Sequence, residues 1–148
     1  MAVKEAFKGM TGNEGGPFGA VIVKDGRVVA KGHNRVVRTK DPTSHAEIVA
    51  IRRASKKMGR FDLSDCEIYS TCEPCPMCLA ALYWAGISRI FYGCTTEDAA
   101  KIGFADESID DAIKGRLSAR KLRMVPMERE GCLSLFAAWA QKPDKVPY

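Results

Sequence analysis

Apolar and polar positions alternate along this chain in two rhythms, one with helical spacing and one with strand spacing. Val3, Phe7 and Met10 recur on one helical face, which predicts a short starting helix broken over residues 12–17. Residues 18–24 are apolar and rich in β-branched side chains. Asp25-Gly26 then has the composition of a tight hairpin turn, and residues 27–31 return as a second strand. Ile48, Ile51 and Ala54 mark the buried stripe of a helix over about 45–57. Pro42 ends the extended chain before it, Thr43 or Ser44 can cap it, and Gly59 stops it. Residues 66–71 read as a third strand, and a helix from Pro74-Cys75 to about Gly86 follows, with proline suited to a first turn. A fourth strand is expected at 89–92, short helices at 96–101 and 108–114, and a final helix at 133–141 before an extended tail. Residues 122–127 are a candidate fifth strand, weakened by Pro126. The order predicts an α/β fold, with a central mixed sheet of about five strands sandwiched by helices.

The 148 residues suit one domain with a single core, taken as 1–148. Apolar content of 46% and charged content of 28% are ordinary for a globular chain. No apolar run approaches the roughly 18 residues that span a membrane. Met1-Ala2-Val3-Lys4-Glu5 lacks the apolar core of a secretory signal, so a cytoplasmic setting is expected.

The formal charge is +5, and basic residues concentrate at 114–123. That stretch reads either as a phosphate-contacting patch or as a solvated connector. No aromatic residue interleaves its charges, as single-strand binding would want, so the connector is preferred and nucleic acid is not an expected partner.

The chemistry concentrates in Cys72-Glu73-Pro74-Cys75-Pro76-Met77-Cys78 and His45-Ala46-Glu47. Three of the six cysteines fall within seven residues, which favours a metal over a disulfide framework. Cys66, Cys94 and Cys132 lie in apolar segments and are expected to be inert core thiols. Cys72 reads as strand-end packing, and His33 as strand-end surface or core. His45, Cys75 and Cys78 supply three zinc ligands and leave a fourth tetrahedral position open. Both motifs fall at predicted helix starts, where unpaired N–H groups favour thiolate. Glu47, two residues from a ligand, is assigned as general acid and base. In a closed structural site, with Cys72 as fourth ligand, that carboxylate would have no role.

H-x-E…P-C-x-x-C is the zinc deaminase signature. The chain resembles the cytidine deaminase superfamily here, and within it the bacterial guanine deaminase family. Flanking blocks extend the likeness: Gly15-Gly16-Pro17-Phe18-Gly19-Ala20-Val21-Ile22-Val23-Lys24-Asp25-Gly26, Asp41-Pro42-Thr43-Ser44, Ala81-Leu82-Tyr83-Trp84-Ala85, Asp98-Ala99-Ala100-Lys101-Ile102-Gly103-Phe104 and Phe136-Ala137-Ala138-Trp139 with Tyr148. Family members usually begin with a longer first helix than this chain has. The resemblance implies a cytidine deaminase-like three-layer fold, one Zn²⁺ per subunit, and hydrolysis of guanine to xanthine and ammonia. It implies that Asn34 reads the purine edge, that Phe18 and Trp84 wall the ring, and that Ala46 belongs to the substrate-binding set. It also implies that Asp106 is a second proton carrier and that Tyr148 covers the site. A homodimer exchanging about 128–148 between subunits is implied too, with Trp139 and residues 143–148 packing on the partner.

Other functions compete with this one. Guanosine deaminase would need room for a ribose where Tyr148 is expected to close. Amino-triazines share the amino-amidine edge of guanine. A tRNA adenosine deaminase would typically carry histidine-serine after the cysteine pair, where this chain has Trp84-Ala85. A zinc-stabilised RNA-binding module would use the basic stretch at 114–123.

Overall fold

The computed structural model describes residues 1–115 and 124–146. The chain runs α1 (Ala2–Thr11), β1 (Gly19–Lys24), β2 (Arg27–His33), α2 (Val36–Thr39), α3 (Ala46–Met58), β3 (Glu67–Cys72), α4 (Pro76–Trp84), β4 (Arg89–Cys94), α5 (Thr96–Lys101), α6 (Glu107–Ile113) and α7 (Arg129–Gln141). The strands form one mixed sheet in the order β2-β1-β3-β4. β1 pairs antiparallel with β2 and β3, and β4 runs parallel to β3. The sheet has four strands among the described residues, not about five. Residues 124–127 carry no strand, and residues 122 and 123 lie outside the described residues. Proline at 126 removes a ladder donor in that segment.

The hairpin forms because Asp25 and Gly26 both take positive φ, 49° and 72°, which matches the twist of the flanking strands. Strand alternation then divides the sheet. Gly19 faces His33 across the β1–β2 ladder, and His33 meets Glu5 of α1. Ala20 faces Gly32, one residue on and on the opposite face, where α3 packs. A Cβ at Gly32 would lie 2.3 Å from the Ala46 carbonyl oxygen and 2.7 Å from the Ala50 nitrogen. Glycine there lets the first turn of α3 rest on β2. The core lies on this side: Ala20, Ile22, Ala30, Ala46, Ala50, Ala54, Leu63, Ile68 and Leu82 form one buried cluster. Truncating a large member such as Ile22 or Ile68 to alanine costs about 2–5 kcal/mol.

Several expectations change. Val3, Phe7 and Met10 of α1 are exposed, and the helix buries Ala6 and Gly9 instead. Only small residues admit that close packing on the sheet. Neither Thr43 nor Ser44 caps α3, because both turn toward the Asp41 carboxylate, which leaves His45 at the N-cap position. The short α2 was not anticipated. Of the three thiols expected in the core, Cys66 is buried, whereas Cys94 and Cys132 are exposed. Residues 1–110 form one compact unit and 111–148 another. α7 buries none of its residues.

Candidate metal-dependent active site

Two helix starts carry the ligand set. The Asp41 carboxylate accepts from the Thr43 amide at 2.8 Å and the Ser44 hydroxyl at 2.9 Å, making a tight turn that delivers His45 at the N-cap of α3. Cys75 occupies the N-cap of α4, with Pro76 in the first turn, where a missing N–H costs nothing. Cys78 follows one turn in and is fully buried. Nδ1 of His45 lies 3.5 Å from Sγ of Cys75 and 3.5 Å from Sγ of Cys78. The three donor atoms lie within 4.8 Å of one another.

Their electrostatics favour a cation. The Cys78 thiol beside Cys75 holds the Cys75 thiol down to about 4, with His45 assisting. The neighbouring Cys75 in turn pushes Cys78 well above the ordinary thiol range, and its hydrogen bond to Cys75 raises His45. The three groups thus hold protons between them, and a metal replaces those protons. One imidazole and two thiolates are a zinc donor set with one tetrahedral position left over. Cys72 stands apart from it. Its Sγ donates to the Thr95 carbonyl at 3.4 Å, and burial pushes its thiol up to about 11.

Glu47 sits in the first turn of α3, 5% exposed, with burial raising its carboxyl above the usual range. Its Oε1 accepts from the Ser70 hydroxyl at 3.0 Å, and its Oε2 lies 3.5 Å from Sγ of Cys78. Alternation along β3 places Ile68, Ser70 and Cys72 on the buried side, so Ser70 meets Glu47 from the sheet. Ser70 escaped the sequence reading, although a lone hydroxyl at a buried strand position signals a polar partner.

A cavity of about 470 Å³ opens over these groups, within the range of small-molecule sites. Phe18, Asn34, His45, Glu47, Cys75 and Asp106 line it. Phe18 meets Phe104 edge-on, with centroids 4.9 Å apart, and the pair walls one side. Val36, Val37, Glu73 and Phe104 also line the cavity without having been assigned to it from sequence. The first two come from α2, which is too short to show periodicity. Trp84 is 72% exposed at the end of α4 and does not line the cavity. Ala46 is fully buried against Gly32 and is not among the lining residues either. Tyr148 and most of the basic stretch, 116–123, lie outside the described residues.

A helix-flanked mixed sheet with a histidine and a cysteine pair at two adjacent helix starts, and a buried glutamate between them, defines a zinc-dependent deaminase. The chain belongs to the cytidine and deoxycytidylate deaminase family, whose zinc-binding region matches residues 1–94. It is 45% identical over 147 residues to guanine deaminase of Bacillus subtilis, covering 99% of this chain and 94% of that one. The X-ray structure of that Bacillus subtilis protein superposes with a TM-score of 0.94. Guanine deaminase from Nitrosomonas europaea is 28% identical, with a TM-score of 0.68 over 90% of this chain and 68% of that chain. A tRNA-specific adenosine deaminase of Aquifex aeolicus is 41% identical over 92 residues, covering 62% of this chain and 60% of the relative.

Proposed function

We propose that this protein hydrolyses guanine to xanthine and ammonia at the cavity above His45, Cys75 and Cys78. The whole-length likeness to the Bacillus subtilis guanine deaminase carries the choice of base, since it spans 99% of this chain whereas the tRNA deaminase likeness spans 62%. When bound, zinc supplies a Lewis acid that lowers the pKa of a coordinated water to about 7.

The remaining steps fall to this chain's side chains. Glu47 takes one proton from the attacking water and delivers it to N3 as the water oxygen bonds to C2; it then takes the second proton from the new C2 hydroxyl and gives it to the amine as C2=O forms, the C2–N bond breaks and ammonia leaves. Burial, which raises its carboxyl above the ordinary range, makes it a stronger base toward the attacking water than an exposed glutamate. Ser70 holds one carboxylate oxygen and leaves Oε2 for transfer. Asn34 reads the purine edge through its carboxamide NH₂, since its Oδ1 already accepts from the Val36 amide at 3.2 Å. Phe18 supplies an apolar wall against one face of the ring. Asp106, on the cavity lining near α6, is a second proton carrier.

The finer partner assignment is a homodimer exchanging residues about 128–148, with Tyr148 closing the site. The apolar side chains of α7 support it: Leu135, Phe136 and Trp139 are 67%, 67% and 46% exposed, an unfavourable arrangement for a helix left uncovered. A cytoplasmic setting goes with this reading, and no helix among the described residues is long and apolar enough to cross a membrane.

Ammonia release by the zinc-loaded protein, compared on guanine, guanosine, adenine and cytosine, tests the substrate. Release from guanine alone is expected. Release mainly from guanosine would keep the chemistry and overturn closure against a ribose.

A further inference from the structure

His33 ends β2 on the side facing α1 and is 3% exposed. Its Nδ1 lies 3.1 Å from Oε1 of Glu5 in α1, and its Nε2 lies 3.1 Å from Oε2 of Glu14 in the loop after α1. Each ring nitrogen therefore has a carboxylate oxygen within hydrogen-bond distance, and the ring is held from both sides. The two nitrogens point to opposite sides, so the three groups do not converge on one cation.

Glu14 reaches further than His33. Its Oε2 also accepts from Nε of Arg35 at 3.2 Å, and its Oε1 accepts from Nη1 of Arg38 at 2.7 Å. Its backbone oxygen accepts from the Arg38 amide at 3.0 Å, and its own amide donates to Gly9 at 2.9 Å. Glu14 thus ties the end of β2 and the short α2 to α1: its carboxylate holds His33, Arg35 and Arg38, and its backbone amide holds Gly9.

Asn34 sits between the two tied residues, 5% exposed, on the cavity lining. Its amide N–H donates to the Phe18 carbonyl at 3.0 Å, and its Oδ1 accepts from the Val36 amide at 3.2 Å. A Cβ at Gly15 would lie 2.1 Å from that Oδ1, so the loop closes tightly behind the side chain. With Oδ1 turned back to Val36, the carboxamide NH₂ is the part left to meet acceptors in the cavity.

We propose that His33, Glu5 and Glu14 form a hydrogen-bonded clamp that sets the backbone at 33–36 and so fixes which way the Asn34 amide presents itself to substrate. These three are positioning residues, and the assignment rests on the purine reading of the cavity. Removing Glu14 leaves His33 and Arg35 without their shared partner. The turn that supplies the Val36 donor then loosens, and Asn34 no longer holds one orientation.

The test is a double-mutant cycle on the zinc-loaded protein with guanine, using Glu14→Ala, Asn34→Ala and the pair. Glu14→Ala should raise KM about tenfold, change kcat less than about threefold and leave zinc content unaltered, as loss of ground-state positioning does. The pair should lose no more than Asn34→Ala alone, because both act through one amide. Additive losses would overturn the proposal. If Glu14→Ala does not fold, Glu14→Gln, which keeps one acceptor, takes its place. If the wild-type protein leaves guanine untouched, the substrate reading fails separately. The Asn34 side-chain resonances then decide the matter: they should shift and broaden in Glu14→Gln, and unchanged resonances would remove the positioning role.

Discussion

Ser70 on β3 donates its hydroxyl hydrogen to Oε1 of Glu47 at 3.0 Å, so the sheet holds one oxygen of the buried carboxyl while the other lies 3.5 Å from Sγ of Cys78. The bond spans 23 residues of sequence and joins the two elements that build the site. It stops the carboxyl from rotating between the sheet and the ligand set.

Glu47→Gln preserves shape and removes proton transfer. Turnover should fall by about 10³-fold, within the usual range for losing a general acid and base, with zinc stoichiometry and thermal midpoint nearly unchanged. Ser70→Ala should cost about tenfold in kcat, the worth of a hydrogen bond to a charged group. Steady-state ammonia release with metal analysis checks both. An unaltered rate in Glu47→Gln would remove that residue from the mechanism.

Zinc should depend on Cys75 and Cys78 and not on Cys72, whose thiol is held at about 11 and points to the Thr95 carbonyl. Chelation should abolish turnover, and added zinc should restore it. Cys72→Ser should still bind one zinc per subunit, whereas Cys75→Ser and Cys78→Ser should each lose most of it. Zinc loss in Cys72→Ser matching theirs would point to a closed four-ligand site.

Gly32→Ala inserts a methyl group where the Ala46 oxygen stands 2.3 Å away and the Ala50 nitrogen 2.7 Å. Backbone cannot yield cheaply at both points. The variant should lose about 1–3 kcal/mol, the range for overpacking, and should weaken zinc binding because the displaced turn carries His45 and Glu47. Denaturant titration and zinc affinity are the measurements, and a stable variant with full zinc affinity would contradict the proposed contact.

Acid should weaken the fold through carboxylates whose folded pKa is depressed. The His33 hydrogen bond first, then Arg38, hold Glu14 down to about 2 from its ordinary 4.5. The Thr43 hydroxyl and amide and the Ser44 hydroxyl hold Asp41 down to about 2 from 3.8. The folded state therefore binds fewer protons than the unfolded one in this range. The stability these groups contribute is complete above about pH 4.5 and is lost as pH falls toward about 2. Denaturation midpoints should decline across that window, and less steeply in Glu14→Gln. Parallel declines in the two proteins would exclude Glu14 from the effect.

Sequence by itself determined the parts of this protein that local pattern dictates. Asp25-Gly26 has few backbone options, so the hairpin was legible. A histidine, a glutamate two residues on and a C-x-x-C pair after proline have a narrow chemical meaning, so the cluster of His45, Cys75 and Cys78 with Glu47 beside it was legible as well. Tertiary structure decided what depends on distant residues meeting. The apolar stripe of α1 turned outward because Ala6 and Gly9 permit closer packing on the sheet than Phe7 or Met10 could. Cys94 became exposed on β4, whose residues are mostly exposed. Ser70 acquired its role only when β3 was laid beside α3, and Trp84 fell away from the cavity at the far end of α4. His33 gained two carboxylate partners from 28 and 19 residues away. Periodicity reports which side of an element is apolar, but which side gets covered depends on the shape of the surface brought against it.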